Sequence, residues 1–191
     1  MVALSVILGM IKIWTAPFGG SVTLFSMVPL IVIAFRRGAV WGMAGGFVSG
    51  VLNLLFDLGT LAYIPTPAGI IACILLDYLI AYTLLGTAGI FHGGASGGGA
   101  LKRFSVIAAG VILAVSARFL CHLVSGAVIW YDLTKLWYPD DPSNIVNRYG
   151  PWIYSALYNG AFMLPELAMT LLAAPIITRL LSIIGYRSDK A

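Results

Sequence analysis

The sequence predicts an all-α integral membrane protein, a single domain over residues 1–191 built as a bundle of six transmembrane helices with both termini in the cytosol. Three observations predict it. The chain is 60% hydrophobic and only 9% charged, against roughly 45–50% and about 25% in soluble domains, so it cannot present water with a surface of ordinary polarity. Its apolar residues fall in long unbroken runs, not in the polar and apolar alternation of a membrane β-barrel. Its basic residues collect at alternate breaks between those runs.

The runs lie at about 2 to 16, 22 to 35, 39 to 56, 68 to 91, 104 to 131 and 152 to 185. Crossing ~30 Å of hydrocarbon takes about 20 helical residues, so 191 residues hold six spans and short loops. The first run, opening MVALSVILGM, has no positive lead-in and no cleavage site ahead of a soluble chain, so it reads as a first span and not a signal peptide. Its missing polar lead-in is what an internal start at Met1 predicts. The second run is short, and the sixth is long enough to tilt or to extend into the cytosol. Turn formers mark the breaks: TAPFGG at 15–20, RRG at 36–38, PTPAG at 65–69 and HGGASGGGA at 92–100. The last is a flexible linker, because it lacks the strand and the Lys-Ser/Thr ending of a phosphate loop.

Orientation follows from Arg36 and Arg37 after the second run, Lys102 and Arg103 after the fourth, and Arg179, Arg187 and Lys190 at the end. These are seven of the 11 basic residues, with Lys135 and Arg148 in the opposite loops, which places both termini in the cytosol. The longest outer connection, 131–151, carries interfacial aromatics and is suited to cover a pocket. Cys73 and Cys121 lie inside apolar runs without metal-ligand spacing and read as small core residues.

Each ionisable residue at membrane depth costs roughly 2.5–3.5 kcal/mol on insertion scales and is therefore a functional candidate. Asp77, Arg118, His122 and Glu166 are such residues. Arg118 and His122, four apart, share a helix face with Trp130 two turns further out. Tyr154, Tyr158 and Asn159 stand near the outer end of the sixth run. Structural roles exist for all of them: an Asp77–Arg118 ion pair, a histidine bonded within the bundle, an interfacial tryptophan, Glu166 bonded to backbone freed by Pro165, and interhelical bonds from the tyrosines and the amide. Together, a carboxylate, a tryptophan, an imidazole, phenols and an amide suit a flat heteroaromatic cation: the indole face attracts positive charge, the carboxylate neutralises it and the polar groups read ring nitrogens. No nucleophile with a base, no metal-ligand pair and no phosphate motif occurs, so an enzyme is disfavoured and no metal or cofactor is expected.

On FGGSVTLFSMVPLIVIAFRRG (18–38), LLDYLIAYTLLGTAG (75–89), RFLCHLVSGAVIW (118–130) and YSALYNG (154–160), the chain resembles the thiamine-specific S components of energy-coupling factor transporters, the ThiT (YuaJ) family. The resemblance spans nearly the whole length. It implies a six-helix binder in the cell membrane of a prokaryote that captures thiamine outside and delivers it inward, docked on a T component and two ATPase subunits that hydrolyse ATP; no nucleic acid is involved. It implies substrate-binding roles for Asp77, Tyr78, His122, Gly126, Trp130, Tyr154 and Asn159, and for Trp14 ahead of the GGS turn. Trp130 and His122 would flank the thiazolium, Asp77 would meet the cation and the aminopyrimidine, Tyr154 and Asn159 would bond the pyrimidine, and Gly126 would leave room. The loop after Trp14 would be the outer gate.

Asp77 departs from the family pattern, which carries Glu there; the carboxylate is one methylene shorter. The family docks through small residues four apart on its first helix, for which Ser5 and Gly9 are the better pair here. Competing functions are an S component for another vitamin or precursor, a stand-alone cation- or proton-coupled transporter using Asp77, Arg118 and Glu166, and a membrane enzyme or structural subunit that holds a lipid.

Overall fold

A computed structural model describes residues 1–16, 19–96 and 99–183. Helix α1 (Val2–Met10) leads into a two-stranded antiparallel hairpin, β1 (Lys12–Thr15) and β2 (Ser21–Thr23). Then come α2 (Val28–Arg37), α3 (Ala39–Phe56), α4 (Pro67–Ala95), α5 (Ala100–Trp137), α6 (Pro151–Leu172) and α7 (Ala174–Ile183). Single helical turns at Leu58–Leu61 and Ile145–Arg148 punctuate the loops.

Helices α3, α4 and α5 are each long and apolar enough to cross a bilayer, and α6 with α7, bent by 42°, forms a fourth such unit. Pro175 explains the bend: a proline in the first turn of α7 cannot donate back to α6. The six apolar runs all carry helices, but the first two do so only in part. With 9 and 10 residues, α1 and α2 rise about 15 Å, half a bilayer. The hairpin takes up part of the rest, so the all-helical expectation fails at Lys12–Thr15 and Ser21–Thr23. Gly19, at φ 107, supplies the turn geometry that an L side chain resists.

A glycine stripe fixes the packing. Gly42, Gly46 and Gly50 recur every fourth residue on α3 and press against α4: a Cβ would lie 2.9 Å from the Gly86 Cα at Gly42, 2.2 Å from the Tyr82 carbonyl oxygen at Gly46 and 2.6 Å from that of Tyr78 at Gly50. Such close approach of helix backbones is how membrane helices gain packing energy where lipid offers no hydrophobic drive. From Leu84 onward α4 tightens to 3-10 geometry, which runs on to Ser96, and His92 donates from Nδ1 to the Phe35 carbonyl at 2.7 Å. Arg36 and Arg37 at the end of α2 thereby gather with Lys102 and Arg103 at one end of the bundle. Arg187 and Lys190 lie outside the described residues.

The core is split. One apolar cluster joins Phe35, Leu30, Leu85, Ile107, Val111 and Ile177; a smaller one joins Ile64, Cys73, Tyr78, Ile129 and Leu133. Between them, in chain order along α5, come the buried polar residues Arg118, His122 and Ser125. Val40, Trp41, Phe56, Leu101, Val128 and Leu164 point outward, more than half exposed, as a lipid-facing surface demands. In the outer connection, Asp141 accepts from the Ser143 backbone and hydroxyl at 2.8 and 2.6 Å, which holds its carboxyl below the usual range, and Asn147 ties the segment to Tyr138.

Candidate substrate site

Asp77 organises the polar band. Its Oδ1 accepts from His122 Nδ1 at 2.9 Å; its Oδ2 accepts from Ser125 Oγ at 2.5 Å, Trp130 Nε1 at 3.1 Å and the Cys73 thiol at 3.4 Å. Local backbone geometry makes this meeting possible. Ile74–Leu79, which carries Asp77, and Gly126–Trp130, which carries Trp130, are both π-helical. The wider i→i+5 turn rotates side chains away from their α-helical directions, a device frequent at functional sites.

Arg118 is not paired with Asp77 as the sequence allowed; His122 stands between them. Arg118 Nε–H donates to His122 Nε2 at 3.3 Å, and its guanidinium lies 4.2 Å from the centre of the Tyr82 ring. An arginine can only donate, so His122 Nε2 must accept and the ring proton sits on Nδ1, directed at Asp77. The tautomer is thus assigned from its partners.

On α6, the Asn159 Nδ2 donates to the His122 carbonyl at 3.0 Å and stays near Ser155, whose hydroxyl bonds the Leu123 carbonyl at 2.7 Å. A Cβ on Gly126 would lie 2.2 Å from Ser155 Oγ and 2.8 Å from Asn159 Nδ2. The space that Gly126 leaves is thus taken by α6 as well as by the cavity. Tyr154 shares a hydrogen bond with Thr134 at 2.8 Å and stacks with Tyr158 at 6.0 Å between ring centres.

Glu166 does not serve backbone freed by Pro165. Its Oε1 receives both the backbone N–H and the hydroxyl of Thr23 on β2, the latter at 2.6 Å. One turn earlier, Phe162 meets the hairpin at Gly20, where a Cβ would lie 2.6 Å from the ring. The hairpin is thus held to α6 at two points. Sequence reasoning undervalued Glu166 because its partner lies 143 positions away.

These groups surround a cavity of about 140 Å³, roughly ten times what one water needs on the same measure. Asp77, Tyr78, His122, Gly126, Trp130, Tyr154 and Asn159 all line it, with Arg118, Tyr82, Tyr158 and Glu166. Trp14 does not: it sits on β1, 46% exposed. Pro17 and Phe18 of the expected gate lie outside the described residues, while Gly19 and Gly20 line the cavity. Ser5 and Gly9 line it too, and Ser5 is buried and donates to the Ser26 carbonyl at 2.6 Å. This corrects the expectation of an outward docking pair: Ala3, Leu4, Ile7 and Met10 are the exposed positions of α1. Among the described residues no cluster of side chains suits a metal ion.

The family model described as thiamine transporter protein (Thia_YuaJ) matches residues 1–184. A protein named thiamine transporter ThiT from Lacticaseibacillus paracasei is 28% identical over 158 residues, 80% of this chain and 71% of its own. One of the same name from Bacillus subtilis is 29% identical over 172 residues, 87% and 80% of the two chains. A solved structure of ThiT from Listeria monocytogenes superposes with a TM-score of 0.74 over 96% of this chain and 91% of that one; at 21% identity the likeness is one of fold.

Proposed function

The chain belongs to the thiamine transporter protein (Thia_YuaJ) family, and on that premise we propose that it is the substrate-binding S component of an energy-coupling factor importer. In this reading it sits in the cell membrane of a prokaryote with both termini in the cytosol. It captures thiamine from outside and delivers it inward on a module of one T component and two ATPase subunits. The observation that carries the reading is the Asp77 cluster: a carboxylate joined to an indole N–H at 3.1 Å on the wall of a cavity between two apolar clusters.

The chemistry suits a flat cation. Trp130, fixed through its N–H, offers its ring face to positive charge, an attraction worth ~2 kcal/mol or more where water is excluded. Asp77 spends its lone pairs on protein donors, so it acts on the cation chiefly as a charge across a short gap, and its missing methylene is filled by Ser125 and Cys73. Tyr154, Tyr158 and Asn159 form the opposite wall and read ring nitrogens and the exocyclic amine. Tyr78 closes the side toward the smaller apolar cluster. The hairpin β1–β2 is the gate, and release of its contacts at Phe162 and Thr23 opens the cavity. Trp14 on its outer face takes part only if that hairpin moves inward. The partner face of α1 is the exposed Ala3, Leu4 and Ile7.

Titrating the detergent-solubilised protein with thiamine is expected to quench tryptophan fluorescence saturably, with no response to riboflavin and most of the signal lost in Trp130→Ala. A folded protein that responds to riboflavin and not to thiamine would move the assignment to another vitamin. Uptake into vesicles that contain no ATPase would refute the S-component reading.

A further inference from the structure

The cavity holds two buried carboxylates against one buried guanidinium, and the carboxylate with an unanswered oxygen is Glu166. Of the ionisable groups that line it, Lys12 and Asp57 stand at the exposed rim with opposite signs, while Asp77, Arg118 and Glu166 lie in the bundle. Arg118 is linked to Asp77 through His122, by contacts of 3.3 and 2.9 Å. One guanidinium thus stands against two carboxylates, and its field reaches Glu166 as well, without a hydrogen bond to it. Glu166 is 2% exposed; one of its oxygens meets only the neutral donors of Thr23, and the other, Oε2, is buried with no hydrogen-bond partner. An orphaned carboxylate oxygen in hydrocarbon is costly unless something arrives to meet it.

We propose that Glu166 is the counter-charge that makes this site select a monocation, with its free Oε2 facing the positively charged ring or a hydrogen-bond donor of the bound substrate. The inference rests on the thiamine-binding reading above and adds the charge of Glu166 on α6 to that of Asp77, which also orders Trp130 and His122. It also joins binding to gating, because the same carboxylate holds β2. A cation that draws on Oε2 acts on the group that anchors the hairpin at Thr23.

The test compares thiamine with its neutral isostere, in which a thiophene replaces the thiazolium, by calorimetry on the full chain. Glu166→Gln keeps an oxygen for Thr23 and removes only the charge. It is expected to cut the preference for the cation roughly tenfold or more, with affinity for the neutral isostere unchanged. Arg118→Gln, which removes the buried positive charge, is expected to shift the preference the other way, and it reads the same quantity if E166Q does not give folded protein. Equal weakening of both ligands in E166Q would show that Glu166 only holds the hairpin, and overturn the proposal. Unchanged thiamine affinity would overturn it too, since Gln mimics an uncharged Glu166. Absence of thiamine binding by the folded wild-type protein would remove the function on which the proposal rests, and is seen before any variant is made.

Discussion

Asp77→Asn is expected to weaken thiamine binding by roughly 30-fold to several thousand-fold, the equivalent of about 2–5 kcal/mol for loss of a buried, hydrogen-bonded charge. The reason lies in the donors. Every group facing the carboxylate gives a proton: His122 Nδ1, Ser125, Trp130 and Cys73. An asparagine must turn its NH₂ toward one set of them. Toward Oδ2 it confronts the indole N–H and the Ser125 hydroxyl. Toward Oδ1 it confronts His122, which can answer only by moving its proton to Nε2, where Arg118 already donates. Either way a buried donor loses its acceptor, and Trp130 loses its tether. Asp77→Glu restores the charge, and is expected to bind at least tenfold more tightly than the Asn variant. Fluorescence titration of the three proteins decides the matter; equal affinities would remove Asp77 from the site.

Gly46→Leu is expected to give the largest loss of stability. Its first added carbon would stand 2.2 Å from the Tyr82 carbonyl oxygen, so a helix backbone must move and no rotamer relieves the clash. Overpacking typically costs about 1–3 kcal/mol, and a backbone obstacle puts this variant at or beyond the upper end. For a chain of this size that lowers the melting midpoint by roughly 5–10 °C or more. Gly59→Ala is the control, since nothing lies within 4 Å of a Cβ there. Thermal denaturation in detergent should leave the control at the wild-type midpoint. Equal midpoints for G46L and wild type would mean that α3 and α4 do not pack as described. The same displacement reaches the site, because Gly50 rests on the carbonyl of Tyr78, the neighbour of Asp77.

Much of the site was legible because membrane depth makes polar residues conspicuous. Asp77, His122 and Trp130 stood out against apolar runs, and helical spacing put the last two on one face. What stayed hidden depended on contacts far apart in the chain. Cys73 read as a small core residue and Ser125 gave no signal until the π turns aimed Asp77 and Trp130 at each other, and nothing in composition marks a π turn. Trp14, assigned by resemblance to the site, stands outside the cavity because β1 turns it outward. The hairpin was read as the margins of two spans, since KIWT and SVT are as apolar as helix ends and pair only across a turn.

By itself the sequence determined the solvent of this protein and the depth of its polar groups, because hydrocarbon excludes unpaired charge and so dictates where long apolar runs and rare carboxylates can lie. The tertiary structure decided which carboxylate has both oxygens met by hydrogen-bond donors. Arg118 is four residues from His122 and far in sequence from both acids, and only the packing of α4, α5 and α6 hands it to Asp77 through the imidazole, leaving the second oxygen of Glu166 buried without a partner. Charge balance is a property of neighbours in space, and the order of residues along a chain does not contain it.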